Sequence, residues 1–155
     1  MSRPVPAAAL HVRRLTAADL DDIMAIEESS FTVPWTRNTF ESLLSRRDSD
    51  VLGALDAAGE ISGYIVAWTI VDQAEIGNVA VAPEKRCRGA ARTLIREALA
   101  RSAARGAREC FLEVRESNAV ARKLYESFGF TVVGRRRRYY NSPVEDALIM
   151  RAGLV

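Results

Sequence analysis

The sequence predicts an α/β fold of the α+β kind, a mixed central sheet of about seven strands flanked by four helices. Three observations predict it. Segments with strand periodicity and segments with helical periodicity follow one another in the order β-α-α-β-β-β-α-β-α-β-β. Three strands in the middle are joined by short turns, which makes them antiparallel neighbours. The chain has 155 residues, 48% of them hydrophobic and 27% charged, which suits one domain with a real core.

Each element has a local cause. Leu10 to Leu15 alternates apolar and polar residues and reads as a first strand. Thr16, with Asp19 three positions on, opens a first helix whose stripe is Leu20, Ile23, Met24, Ile26 and Glu27. Pro34 turns Val33 away from helix and ends that run. Thr36 then caps a short second helix with Phe40, Leu43 and Leu44 on one face. Val51 to Leu55 is a strand, the residues from Asp56 to Gly59 are a turn, and Ile61 to Val71 is a long strand of β-branched and aromatic residues. A turn around Asp72 and Gln73 leads to a strand from Ala74 to Val81.

After Pro83, a third helix carries Ala91, Leu94, Ile95, Ala98 and Leu99 at helical spacing, with Gly106 beyond its last turn. Cys110 to Val114 is a strand. Ser117 or Asn118 caps a fourth helix with Ala121, Leu124, Tyr125 and Phe128, which Gly129 stops. Strands at Phe130 to Val133 and Ala147 to Met150 complete the order. The expected organisation is a flexible tail over residues 1–9 and one domain over 10–155.

Composition excludes several classes of function. There are 22 basic and 20 acidic residues, and a net charge of +2 is too mild for wholesale nucleic-acid binding. No stretch approaches the ~20 apolar residues of a membrane helix, and the N-terminus lacks a signal-peptide core. Cys87 and Cys110 have no metal-ligand spacing, and His11 alone completes no zinc site, so no metal is expected. A reducing, cytoplasmic location is the default. With one histidine in the chain, acid–base chemistry falls to Glu, Asp, Tyr or Cys.

The strongest local signal is the strand ending Val79-Ala80-Val81, followed by Arg86-Cys87-Arg88-Gly89-Ala90-Ala91 and a long helix. The first N–H groups of a helix lack internal partners and carry partial positive charge. Small residues let a phosphate approach those amides, and Arg86 and Arg88 add formal charge, so the turn suits a diphosphate. Equally, Gly89 suits a plain helix entry with solvated arginines. No Walker or Gly-x-Gly-x-x-Gly pattern is present.

This stretch resembles the Gln/Arg-x-x-Gly-x-Gly/Ala signature for acetyl-CoA in GNAT N-acetyltransferases, matched by Arg86, Gly89 and Ala91. Ala91 stands where many members carry Gly, and Cys87 where an Arg is common. The runs Phe111 to Ala119, Leu124 to Phe130, Arg138-Tyr139-Tyr140 with Glu145 to Met150, and Val33-Pro34-Trp35-Thr36 resemble the RimI subfamily. The resemblance spans roughly residues 10–150 and implies the GNAT acyl-CoA N-acyltransferase fold, with acetyl-CoA as donor. It also implies a monomer acting on the N-terminal alanine of a small-subunit ribosomal protein. The alternative within the family is another amine, a lysine side chain or a small molecule.

The resemblance also assigns roles. It makes Glu113 the general base and Tyr125 the acid that protonates the departing thiolate. By residue type alone, Glu113 better fits a strand-end ion pair with Arg115 or a neighbouring Arg, and the resemblance reverses that order. Tyr125 equally fits a core tyrosine with its hydroxyl at the rim. Asn118 is a helix cap that the resemblance also turns toward the donor. Val79, Ala80 and Val81 would offer backbone groups to the pantetheine arm. Arg86, Cys87, Arg88, Gly89, Ala90 and Ala91 would surround the diphosphate. Tyr139 and Tyr140 would wall the amine site, facing Trp35, whose other reading is core packing. Most of the arginines at 135–138 read as a solvated strand face, with RNA contact a third reading for that run.

Overall fold

A computed structural model describes residues 9–154. The tail read at residues 1–9 lies, but for Ala9, outside the described residues. The strands are β1 (His11–Arg14), β2 (Ser49–Leu55), β3 (Ile61–Ile70), β4 (Gln73–Val81), β5 (Glu109–Arg115), β6 (Thr131–Tyr140) and β7 (Glu145–Gly153). The helices are α1 (Leu20–Ser30), α2 (Arg37–Ser45), α3 (Ala90–Ala104) and α4 (Ala119–Glu126). The strands form one sheet in the order β1-β2-β3-β4-β5-β7-β6. β4 and β5 run parallel, joined through α3, and the other pairs are antiparallel.

The two faces of the sheet bury separate cores. Leu52, Ile65, Leu112 and Met150 pack with Leu94 and Ile95 of α3, and Tyr125 of α4 packs at the edge of this core. Val51, Tyr64 and Val66 pack with Ile23 of α1 and Phe40 of α2 on the other face. The helix starts follow the sequence. Thr36 accepts the Thr39 N–H, and Asp19 accepts the Thr16 N–H at 2.8 Å, although a 3-10 turn (Ala17–Asp19) precedes α1.

The feature that shapes the site is a bulge in β4. Val66 pairs with Asn78 while Ala67 pairs with Ile76, so Gly77 is the extra residue. A Cβ there would lie 2.5 Å from Trp68 Cη2 and 2.9 Å from Trp35 Cη2, so only glycine fits beneath the two indoles. The bulge reverses which residues face which core. Ala74 and Ile76 pack toward α3 before it, and Val79 and Val81 do so after it. Asn78 and Ala80 then face the α1 side. The β4–β5 pairing runs from Gln73↔Glu109 to Ile76↔Leu112 and stops there, leaving a gap between residues 77–81 and 113–115.

Some boundaries differ from the sequence reading. The hairpin turn is Val71-Asp72 rather than Asp72-Gln73, and Gln73 already pairs with Ile70. Val71 takes φ +58, unfavourable for a β-branched residue, because the long β3–β4 pairing fixes the turn. β6 runs on to Tyr140 through the arginines, well beyond Val133. It is an edge strand paired only with β7, so it needs no buried face to persist.

Candidate active site

Glu113 lies on β5 just past the last β4–β5 pair, at the mouth of the gap. Its neighbours Leu112 and Val114 point into the α3 core, so its side chain points to the other face by strand alternation. There Glu113 Oε1 lies 3.0 Å from Arg136 Nε on β6. The ion pair read as one alternative for Glu113 therefore forms, with Arg136; Arg115 pairs with Glu145 instead, at 3.3 Å. Trp68, Glu75, Phe111, Glu113, Arg136 and Ile149 line a cavity of about 310 Å³. Glu75 has its pKa pushed up, first by burial and then by the charge of Glu113.

Tyr139 and Tyr140 are adjacent in sequence yet both reach this cluster. A second irregularity lies between Arg136 and Tyr140, where Arg138 takes φ +52 and donates its N–H to Asp146 Oδ1 at 2.8 Å. That bulge breaks the alternation that would send the two rings to opposite faces. Their centroids are 5.1 Å apart. The Arg136 guanidinium lies 5.4 Å from the Tyr139 ring and that of Arg115 lies 4.4 Å from Tyr140. Burial raises the pKa of Tyr139, with Glu113 adding to it. Burial followed by the charge of Glu113 pushes Tyr140 up to about 12.

Tyr125 comes from α4, on the opposite side of the sheet. Its ring packs edge-on against Phe130 at 5.9 Å between centroids. Burial first, then Tyr140, pushes its pKa up to about 12. The charge of Glu113 thus acts on Tyr140, and Tyr140 in turn on Tyr125. Asn118 caps α4 by accepting the Ala121 N–H at 3.2 Å, so its Oδ1 is engaged and its amide nitrogen is the group left for another contact.

The turn before α3 has the geometry of an anion site. Gly89 takes φ +85, and a Cβ there would meet nothing within 4 Å. The N–H of Thr93 is bonded to Gly89 O, so those of Ala90, Ala91 and Arg92 precede the first helical bond. Cys87 is exposed with φ +63, and Arg88 is exposed. Arg86 folds back, with Nε 3.3 Å from Val81 O. Lys85 ties the turn to the β2–β3 connection through Asp56 and, at 2.7 Å, Glu60. Val79, Ala80 and Val81 are paired to β3 on one edge only, since β5 has already parted from them. An exposed Gly89, free helical amides and an unpaired strand edge beside a gap fit a nucleotide diphosphate and a pantetheine arm.

Trp35 packs on the α1–α2 core, which is one of its two readings. Its ring packs 5.5 Å from Phe40, and its edge lies over Gly77 beside Trp68. Its N–H donates to Glu27 Oε1 at 3.0 Å. Trp35 and Trp68 also line a groove of about 420 Å³ with Thr39, Leu43 and Arg46 of α2 and its C-cap. The arginines at 135–138 are all exposed, as a solvated strand face requires, and two of them also form ion pairs. Arg135 bridges Glu116 and Asp146, both at 2.8 Å, and Arg136 holds Glu113. Among the described residues, no group of three His, Cys, Asp or Glu side chains could hold a metal ion.

Sequence reasoning missed Glu75, Trp68, Arg136, Asn78 and Glu27 as members of the site region. Two signals were present. Gly77 within a strand marks a bulge, and Glu27 sits on the apolar stripe of its helix.

A family model, the acetyltransferase (GNAT) family, matches residues 20–130. The chain belongs to the GNAT acetyltransferase family and is an acetyl-CoA-dependent N-acetyltransferase. It is 33% identical over 141 residues to the ribosomal protein bS18-alanine N-acetyltransferase of Escherichia coli (strain K12), covering 90% of this chain and 94% of that one. It is 32% identical over 143 residues to the enzyme of the same name from Haemophilus ducreyi, covering 90% and 97%. The crystal structure of the E. coli ribosomal-protein-S18-alanine N-acetyltransferase superposes with a TM-score of 0.87 at 30% identity, covering 94% of each chain. The expected fold is therefore the observed one. No helix of the described residues is long and apolar enough to cross a membrane.

Proposed function

We propose that this chain acetylates the α-amino group of the N-terminal alanine of ribosomal protein bS18. The observation that carries the reading is Glu113 at the mouth of the β4–β5 gap, where the ladder stops after Ile76↔Leu112 and Arg136 holds the carboxylate at 3.0 Å. Similarity over nine-tenths of the chain to enzymes named for that substrate supports the choice of amine. The same reading has the chain acting in the cytoplasm as a monomer.

Acetyl-CoA supplies the acetyl group as a thioester. Gly89, Ala90 and Ala91 offer backbone N–H groups to its diphosphate, with Arg86, Cys87 and Arg88 around them. Val79, Ala80 and Val81 present their unpaired edge to the pantetheine arm, and the Asn118 amide nitrogen is available beside it. Glu113 takes a proton from the substrate ammonium, directly or through a water. The α-amino pKa of ~7.7–8.0 asks only a modest base for this. The amine nitrogen then bonds to the acetyl carbon and the carbon–sulfur bond breaks. Tyr125 gives its proton to the leaving sulfur, and the second proton, shed by the nitrogen as the amide forms, passes through water to restore the tyrosine. The tyrosine's pKa of about 12 keeps its proton in place before the reaction at physiological pH. Trp35, Tyr139 and Tyr140 wall the amine site.

Mass spectrometry of two peptides incubated with the enzyme and acetyl-CoA tests the reading. One peptide begins with the free N-terminal alanine of bS18. The other has a blocked N-terminus and an internal lysine. Acetylation of the first alone is the expected result. Acetylation of the lysine peptide alone would replace the substrate while keeping acetyl transfer from acetyl-CoA, and would require a stronger deprotonation than the α-amine does, since lysine has a pKa of ~10.4.

A further inference from the structure

Glu27 is 1% exposed, at the C-terminal end of α1, and none of the roles above uses it. A buried carboxylate ordinarily has a cation beside it, because an unpaired charge is costly to remove from water. Here the partners among the described residues are neutral donors. The Trp35 backbone N–H donates to Oε1 at 3.0 Å. Asn78 Nδ2 lies 2.8 Å from both oxygens, and the Tyr64 hydroxyl donates to Oε2. Burial raises the pKa of Glu27 against the opposing effect of the Trp35 and Asn78 bonds. A leucine on this stripe would pack the same space without that cost, so the carboxylate needs another reason to be there.

The donors give the reason. Trp35 belongs to the loop between α1 and α2, Tyr64 to β3, and Asn78 is the first residue after the β4 bulge. One side chain therefore ties this loop to β3 and to β4, whose residues 77–81 form one side of the gap. The Trp35 indole is held over Gly77 by that tie and by Phe40. The loop also reaches across to the β6–β7 connection, where the Thr32 hydroxyl donates to Ser142 O at 3.1 Å.

We infer that Glu27 is a positioning residue that fixes the Trp35 wall at the amine-substrate end of the cleft. The inference rests on the reading of Trp35 as part of that wall. Glu27 acts through the Trp35 amide and touches neither the donor nor the reacting atoms. It therefore governs how well the peptide is held, and leaves acetyl-CoA binding to the α3 turn on the far side of the sheet.

The test uses Glu27→Gln, which keeps the size of the side chain but removes the charge and turns one acceptor into a donor facing other donors. Hydrogen exchange at residues 33–36 and steady-state kinetics are read on the same preparation. The expected result is faster exchange in that segment, a KM for the alanine peptide raised ~10-fold, and kcat and the KM for acetyl-CoA within ~2-fold of the parent. Glu27→Asp should restore part of the peptide KM. Unchanged exchange, or faster exchange with an unchanged peptide KM, overturns the inference. So does an equal loss in all kinetic parameters, which is the mark of a merely structural role. Should Glu27→Gln not fold, Asn78→Ala loosens the same carboxylate and is read by the same criteria. Glu113→Gln, assayed in parallel, keeps the outcomes apart: its full activity would sink the proposed chemistry, whereas the exchange at residues 33–36 reports on Glu27 alone.

Discussion

Glu113 has Arg136 at 3.0 Å, with Glu75 and the two adjacent tyrosines close enough to feel its charge. The guanidinium orients the carboxylate at the mouth of the gap. Removing the carboxylate in Glu113→Gln should lower kcat by about 10²–10⁴-fold with peptide at pH 7, the span expected of general base catalysis. Tyr125→Phe should lower kcat by about 10²-fold and leave the KM for acetyl-CoA within ~2-fold, because a thiolate is already a fair leaving group. Because Tyr125 holds its proton up to about 12, its ionisation should produce no alkaline fall in kcat below pH ~10. A Tyr125→Phe enzyme of unchanged turnover would remove that residue from the chemistry. At this scale the sequence was readable where residue type limits chemistry. A single histidine left acid–base chemistry to Glu, Asp, Tyr or Cys, and the family resemblance pointed among these to Glu113 and Tyr125. Arg136 was not readable as the partner of Glu113, because that pairing depends on how β6 and β7 register beside β5.

The elements were legible wherever periodicity and caps act locally. Thr36, Asn118 and Gly129 stop or start helices where the sequence places them. Strand ends set by pairing were not. β6 continues through four arginines because β7 pairs with it, and no local preference of arginine announces that. The β4 bulge stands between the two cases, since Gly77 signals it without fixing its direction. Gly77→Ala tests how much depends on it. The added methyl would meet both tryptophan rings, so urea unfolding should show a loss of about 1–3 kcal/mol, the usual penalty for overpacking. Displacing Trp35 should also raise the KM for the peptide. A variant with the parent's midpoint and KM would mean the rings yield freely and the bulge has no such constraint.

At the scale of the whole molecule, two half-sheets meet along a single short parallel contact. β4 and β5 share four residue pairs, against the seven that join β5 to β7. Helix α3 lies across the junction, with Leu94 and Ile95 packed in the core that also holds Ile65 from one half and Met150 from the other. Beyond Ile76 and Leu112 no ladder bonds connect the halves. A mechanical reading follows: the domain resembles a book whose spine is short and whose lower pages are unbound, with α3 as the binding cloth. Acetyl-CoA seated between the pages would act as a clasp. Saturating donor, at ~100 times its Kd, should add about 2.7 kcal/mol of stability. Hydrogen exchange should slow at residues 77–81 and 113–115 more than in the β2–β3 ladder. Uniform slowing across the sheet would mean that the halves already move as one piece. If the clasp works as described, donor binding prepares the amine site as well as filling its own, because Glu113 belongs to one page and Trp35 rests on the other.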